Sequence, residues 1–182
     1  MKQLTFITGN QRKADYLAKW LDWPVTHHKL DLDEIQSLNS HTVAEHKVRQ
    51  AYGILKSPVL VEDTSLVFTA MGRLPGTFIK WFLEELGNEG LCKVADTLPH
   101  RSAVARVTYA YCSGDSVHFF EGSTEGNIAA KPRGAHGMGW DPVFIPNGSD
   151  KTFAEMSDHD KKRFSPRAKA HKHLHDFLLR QV

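Results

Sequence analysis

The sequence predicts an α/β (mixed α+β) domain with mixed strand directions, on three observations. The apolar run LTFIT breaks at Gly9-Asn10 and gives way to residues with helical spacing, a strand-turn-helix signature. The start of VLVEDTSLVF, residues 59–68, is an unbroken apolar run, which marks a strand covered on both faces. Residues 101–130 then change to β-branched and aromatic composition around a Ser-Gly-Asp turn, the pattern of an antiparallel pair or meander. Parallel and antiparallel pieces in one chain give mixed directions.

Taken in order, LTFIT (4–8) is a strand and the next stretch is a helix, with Ala14, Leu17, Ala18 and Leu21 on one face. The extended PVTHHKL leads through acidic DLDEIQSLNS to a helix from about 41 to 55, with Asn39 or Ser40 as N-cap. Residues 59–68 are expected to give two strands separated by a possible Asp-Thr-Ser turn. MGRLPGTF is a loop. The following helix carries Ile79, Phe82, Leu83 and Leu86 on one stripe and is expected to end at Gly87. After the β region comes a Gly-rich loop, PRGAHGMGWDPVF, and then a final helix with Ser165 at its cap and Pro166 in its first turn. No repeat or linker divides the chain, so one domain over residues 1–182 is expected.

The chain has 182 residues, 41% hydrophobic and 24% charged, as expected of an ordinary globular protein. Its formal net charge is +2 with Lys and Arg dispersed, which argues against a nucleic-acid partner. No apolar stretch approaches membrane-spanning length, so no membrane partner and a cytoplasmic location are expected. Cys92 and Cys112 share no metal or redox spacing and read as reduced packing residues. His171, His173 and His175 recur every second residue, a period that scatters them around a helix rather than gathering them for a metal.

Five features carry chemistry. TGNQRK (8–13) lies where a strand hands over to a helix, whose unpaired N–H groups suit an anion, and Lys13 adds charge; a plain helix cap at Asn10 fits the same residues. Lys47 falls at the edge of the apolar stripe Ala44, Val48, Ala51 and Leu55, so it points inward toward an anion or snorkels to solvent. Side-chain alternation sends Glu62 and Asp63 to opposite faces, and a buried carboxylate there needs a cation, donors or an open cleft. Glu34, in the acidic loop, pairs with Asp63 as an oxygen donor set of the kind Mg²⁺ accepts alongside water and phosphate. In GMGWDP, glycines permit close approach, Trp140 offers a stacking face or plain core, and Asp141 accepts from a base's N–H groups. An anion cradle, a carboxylate pair for a hard metal and a base-sized pocket together specify a nucleoside triphosphate site.

On TGNQRK, VLVEDTSL, LPGTFIKWFLEEL, GWDPVF, TFAEM and SPR, in that order almost end to end, the chain resembles the inosine triphosphate pyrophosphatase family. The resemblance implies a long curved mixed sheet with helices in two lobes, a central substrate cleft and a homodimer. It implies Mg²⁺-dependent hydrolysis of non-standard purine nucleoside triphosphates (ITP, dITP, XTP) to the monophosphate and pyrophosphate. By matching position, Thr8, Asn10 and Lys13 hold the triphosphate, Lys47 reaches the same phosphates, and Thr64 joins the substrate-binding set. Glu34 and Asp63 hold Mg²⁺, Asp63 also acts on the attacking water, and Glu62 assists. Met138, Gly139, Trp140 and Asp141 line the base pocket, closed by Lys161, Ser165 and Arg167. Met138 replaces the family's usual Phe, and Pro166 its usual His, so relaxed base choice is expected. Rival expectations are a pyrophosphatase for another modified nucleotide, a catalytically silent nucleotide sensor on the same fold, and a single-strand nucleic-acid binder.

Overall fold

LTFI forms strand β1 (Leu4–Ile7) and feeds helix α1 (Gln11–Leu21), whose Ala14, Leu17 and Leu21 are buried as the helical spacing predicts. The chain returns as β2 (Val25–His28), parallel to β1 with Leu4 opposite Val25, which completes a βαβ unit. The structure is a computed structural model and describes residues 3–180. Helix α2 (Ser40–Leu55) starts at Asn39, whose side chain accepts from the His41 amide at 2.9 Å. It delivers β3 (Val59–Phe68) alongside β1, again parallel, with Thr5 opposite Val59.

The expected break into two strands does not occur, because β3 is one continuous ten-residue strand. Asp63, Thr64 and Ser65 have the composition of a turn, but β1 pairs with one end of the strand and β4 (Pro75–Gly76) pairs antiparallel with Leu66 and Val67 at the other. Ladder pairing overrides local turn preference. The segment read as a loop after β3 thus contains this short strand and a 3₁₀ turn at Thr69–Met71.

Helix α3 (Ile79–Asp96) is two helical segments joined at a kink: the first stops at Gly87, as predicted, where the backbone leaves helical geometry (φ 64°, ψ −178°), and a second segment that the sequence patterning does not single out follows it. The break also explains why the predicted stripe stops short. Ile79 is buried and Phe82 and Leu83 pack on the core, but Leu86, just before the kink, is exposed. Strands β5 (Ser102–Cys112) and β6 (Val117–Ile128) are neighbours, and β7 (Phe144–Pro146) pairs antiparallel with β6, with Gly126 opposite Pro146. A second 3₁₀ turn, Phe153–Glu155, precedes α4 (Asp158–Phe164), a short helix that the sequence patterning does not single out. The last helix, α5 (Pro166–Leu179), begins at Pro166 as predicted. The seven-stranded sheet runs β2-β1-β3-β5-β6-β7, with β4 on β3.

The chain divides into two compact units. The first comprises the described residues up to Asp63, Val107–Gly122, and those from Arg167 onward. It holds two cores, one around Phe6, Leu17, Leu21, Leu60 and Tyr109, the other around Ala44, Val48, Val59 and Val61. The second unit, Thr64–Arg106 with Ser123–Pro166, is built on Leu66, Phe68, Leu91, Phe144 and Phe153. Each such side chain contributes roughly 1.5–3 kcal/mol by leaving water. Arg101 fastens the second unit internally: Nε donates to the Ile128 carbonyl at 2.6 Å, Nη2 to that of Cys92 at 3.3 Å, and Nη1 pairs with Asp96. Both cysteines are free and buried. Among the described residues no helix is long and apolar enough to cross a membrane.

Candidate active site

In the first unit, β1 runs out at Ile7 and α1 begins at Gln11, so Thr8, Gly9 and Asn10 form the turn between them. The Thr8 hydroxyl accepts from the Asn10 amide at 3.1 Å. Asn10 stands at the N-cap, but its side chain makes no capping bond, so a plain Asn cap does not account for it. One turn later, Lys13 Nζ lies 2.9 Å from Glu62 Oε1.

Alternation along β3 separates Glu62 from Asp63 as the sequence predicts, and the two meet opposite environments. The Glu62 carboxylate is 2% exposed and faces four donor contacts. Arg167 grips it with two prongs, Nε to Oε2 at 2.9 Å and Nη2 to Oε1 at 3.0 Å. The Tyr109 hydroxyl donates to Oε2 at 2.6 Å, and Lys13 completes the set. Desolvation alone would raise this carboxyl, but the charges of Arg167 and Lys13, with hydrogen bonds from Arg167 and Tyr109, hold it well below the usual carboxylate range.

Asp63 is buried with far less help. Lys47 Nζ contacts its Oδ1 at 3.4 Å, and Oδ2 is buried with no partner among the described residues. Desolvation dominates, and the Lys47 ammonium offsets it only in part, so the carboxyl is pushed up to about 6. The same ammonium sits 3.0 Å from Glu34 Oε1. One cation therefore gathers the two carboxylates that the sequence paired for a metal. Lys47 is inward-pointing as predicted, with its side chain 14% exposed.

The second unit holds the other predicted residues. Thr64 continues β3 beyond Asp63. Asp141 is buried, and its Oδ2 accepts from the Met138 amide and from Lys161 Nζ, each at 2.6 Å. This carboxylate thus shapes its own loop and ties it to Lys161. Gly137 has φ +92° and a Cβ there would lie 2.3 Å from Asp141 Oδ2, so the loop requires glycine. Trp140 packs edge-on against Phe144 at 5.7 Å and is only partly buried, so it serves the core while leaving part of its surface uncovered. Gly139 accepts, through its carbonyl, a 3.1 Å bond from Asn88 just after the α3 kink. Ser165 is buried, and its amide closes α4 on the Lys161 carbonyl at 2.8 Å.

Three residues in these networks escape sequence reasoning. Tyr109 reads as one more strand aromatic, and His171 as one of three alternating histidines, yet its Nε2 lies 2.9 Å from the Tyr109 hydroxyl. His173 and His175 are more exposed, so the three do scatter around α5. Asn88 follows a glycine that looks like a helix stop. The one available signal for Tyr109 is its place in the inward register of Val107 and Tyr109 on β5.

Residues 4–177 match the Ham1 family. A Trypanosoma cruzi protein described as inosine triphosphate pyrophosphatase 2 is 46% identical over 172 residues, 92% of this chain and 88% of that one. A Yarrowia lipolytica inosine triphosphate pyrophosphatase is 44% identical over 184 residues, covering 98% and 97%. Among solved structures, a HAM1 protein from Coxiella burnetii superposes with a TM-score of 0.88 over 99% of this chain and 100% of that one, at 23% identity.

Proposed function

This chain belongs to the Ham1 family, and on that premise we propose that it hydrolyses non-standard purine nucleoside triphosphates, such as ITP, dITP and XTP, to the monophosphate and pyrophosphate with Mg²⁺. One observation carries the reading: the buried Asp63 carboxylate, with Oδ2 unpaired and a single shared ammonium beside it, has a deficit of positive charge. Glu34 and Asp63 fit Mg²⁺ by this test, since both are hard oxygen donors and the ammonium they share leaves Asp63 Oδ2 without a partner among the described residues. The ion supplies charge neutralisation at the phosphates when bound.

The chain's own residues then have distinct work. Thr8, Asn10 and Lys13, at the start of α1, hold triphosphate oxygens, and Lys47 does so from α2. Asp63 orients the water that attacks the α-phosphorus and accepts its proton. Glu62 keeps Lys13 and Arg167 in place. Met138, Gly139, Trp140 and Asp141, with Lys161, Ser165 and Thr64, contribute the base side. Methionine packs on a ring face but fixes it less firmly than phenylalanine, so base choice is relaxed. The protein acts in the cytoplasm as a homodimer, which light scattering would check.

The test is pyrophosphate release from a panel of ribo- and deoxyribonucleoside triphosphates, including inosine, xanthosine, the standard four and modified bases, with and without Mg²⁺. Mg²⁺-dependent release led by inosine and xanthosine substrates is expected. Preference for an alkylated or pyrimidine base would point to another modified nucleotide, and binding without release to a silent sensor.

A further inference from the structure

We propose that Tyr109 and His171 are positioning residues: a hydrogen-bond chain from His171 through the Tyr109 hydroxyl fixes the Glu62 carboxylate, and with it Lys13 and Arg167, for a triphosphate's charge. This rests on the function proposed above. Every member of the chain belongs to the first unit.

The direction of each proton follows from counting donors. Glu62, flanked by two cations, is ionised and only accepts, so the single Tyr109 hydroxyl proton points at it across 2.6 Å. The hydroxyl oxygen can then meet His171 Nε2, 2.9 Å away, only as an acceptor. His171 therefore carries its proton on Nε2. Its Nδ1 is left bare, in agreement with that atom being buried without a partner among the described residues, because a bare acceptor there costs less than an N–H with nothing to bond. A charged imidazolium would put a second proton on Nδ1, and burial indeed pushes this group down to about 4.

Tyr109 and Arg167 both donate to Glu62 Oε2, so without the Tyr109 hydroxyl the hub that spaces the two cations loosens. Packing would survive. The Tyr109 ring meets Phe6 edge-on at 6.1 Å and His171 at 5.3 Å, contacts a phenylalanine keeps. Cations that bind phosphate equally before and during reaction affect KM rather than kcat.

Tyr109→Phe, His171→Leu and His171→Gln in the full chain provide the test, read by steady-state kinetics on ITP, calorimetry with inorganic tripolyphosphate, and ¹⁵N NMR of the His171 ring. Tyr109→Phe should raise KM and the tripolyphosphate Kd about tenfold, as loss of supporting contacts does at other sites, with kcat nearly unchanged. His171→Leu should move both the same way by less, and His171→Gln should restore them because its amide still donates. The wild-type spectrum should show protonated Nε2 and bare Nδ1. A drop in kcat at constant KM, unchanged tripolyphosphate affinity, or a proton on Nδ1 would overturn the proposal. If the wild type hydrolyses no triphosphate, the proposed function fails, while tripolyphosphate binding and the His171 tautomer still decide this one.

Discussion

Glu62 and Asp63 are neighbours on one strand, yet the regions they face are electrostatic opposites. On the Glu62 side, two cations and a tyrosine hydroxyl more than repay desolvation, and the carboxyl sits well below its ordinary range. On the Asp63 side, one ammonium shared with Glu34 leaves the carboxyl at about 6 and one oxygen unpaired. The difference teaches that burial alone says little about a carboxylate's role. A complete set of partners marks a group that holds others in place, and an incomplete set marks one that awaits a ligand.

The sharpest way to break this contrast is Asp63→Asn. Pyrophosphate release should fall by about 10³-fold, the scale of a lost general base, while nucleotide still binds. A variant retaining wild-type turnover would erase the distinction between the faces. Glu62→Gln is the converse experiment. It removes the charge that faces Arg167 and Lys13, whose side chains are 16% and 28% exposed, and should cost about 3–5 kcal/mol in urea unfolding. A cost under about 1 kcal/mol would mean that the hub is not holding them.

The pH dependence of the ligand-free protein comes next in size. Folded Asp63 keeps its proton to about pH 6 but unfolded only to 3.8, so its contribution is full below 3.8 and lost as pH rises to 6. That loss amounts to about 3 kcal/mol. His171 runs the other way: its folded value near 4 means that stability is lost as pH falls from 6.5 toward 4. The two oppose each other in wild type. In Asp63→Asn the opposing Asp63 effect is removed, so stability measured without Mg²⁺ should climb from pH 4 to 6 by about 2–3 kcal/mol more than in wild type. Parallel curves would contradict the assigned shifts. The smallest effect is expected at Glu34, whose side chain is 45% exposed. Glu34→Gln should alter stability by less than about 0.5 kcal/mol, yet raise the Mg²⁺ needed for half-maximal activity about tenfold.

How far the sequence reached differs between these regions for physical reasons. The period of two along a strand suffices to separate Glu62 from Asp63, and helical phase places Lys47 at the inward edge of α2, while Glu34 was paired with Asp63 by donor chemistry and the meeting of both with Lys47 lies outside any local period. The Glu62 hub was not. Arg167 lies 105 positions from its partner and Tyr109 lies 47, and no local period encodes such pairings. Turn composition misled at Thr64 and Ser65 because sheet neighbours on both sides of β3 hold it extended. At Gly87 the helix stop was read correctly, but the second helical segment after it was not, because it is held by the burial of Leu91, Cys92 and Ala95 rather than by a local signal.

The contrast itself can be measured directly by ¹³C NMR titration of the Asp63 and Glu62 carboxyl carbons, without and with Mg²⁺. The account predicts that Asp63 titrates near pH 6 in the metal-free protein and shifts well down on adding Mg²⁺, while Glu62 stays ionised throughout and does not respond. An Asp63 that titrates in the ordinary carboxylate range and ignores Mg²⁺ would contradict it.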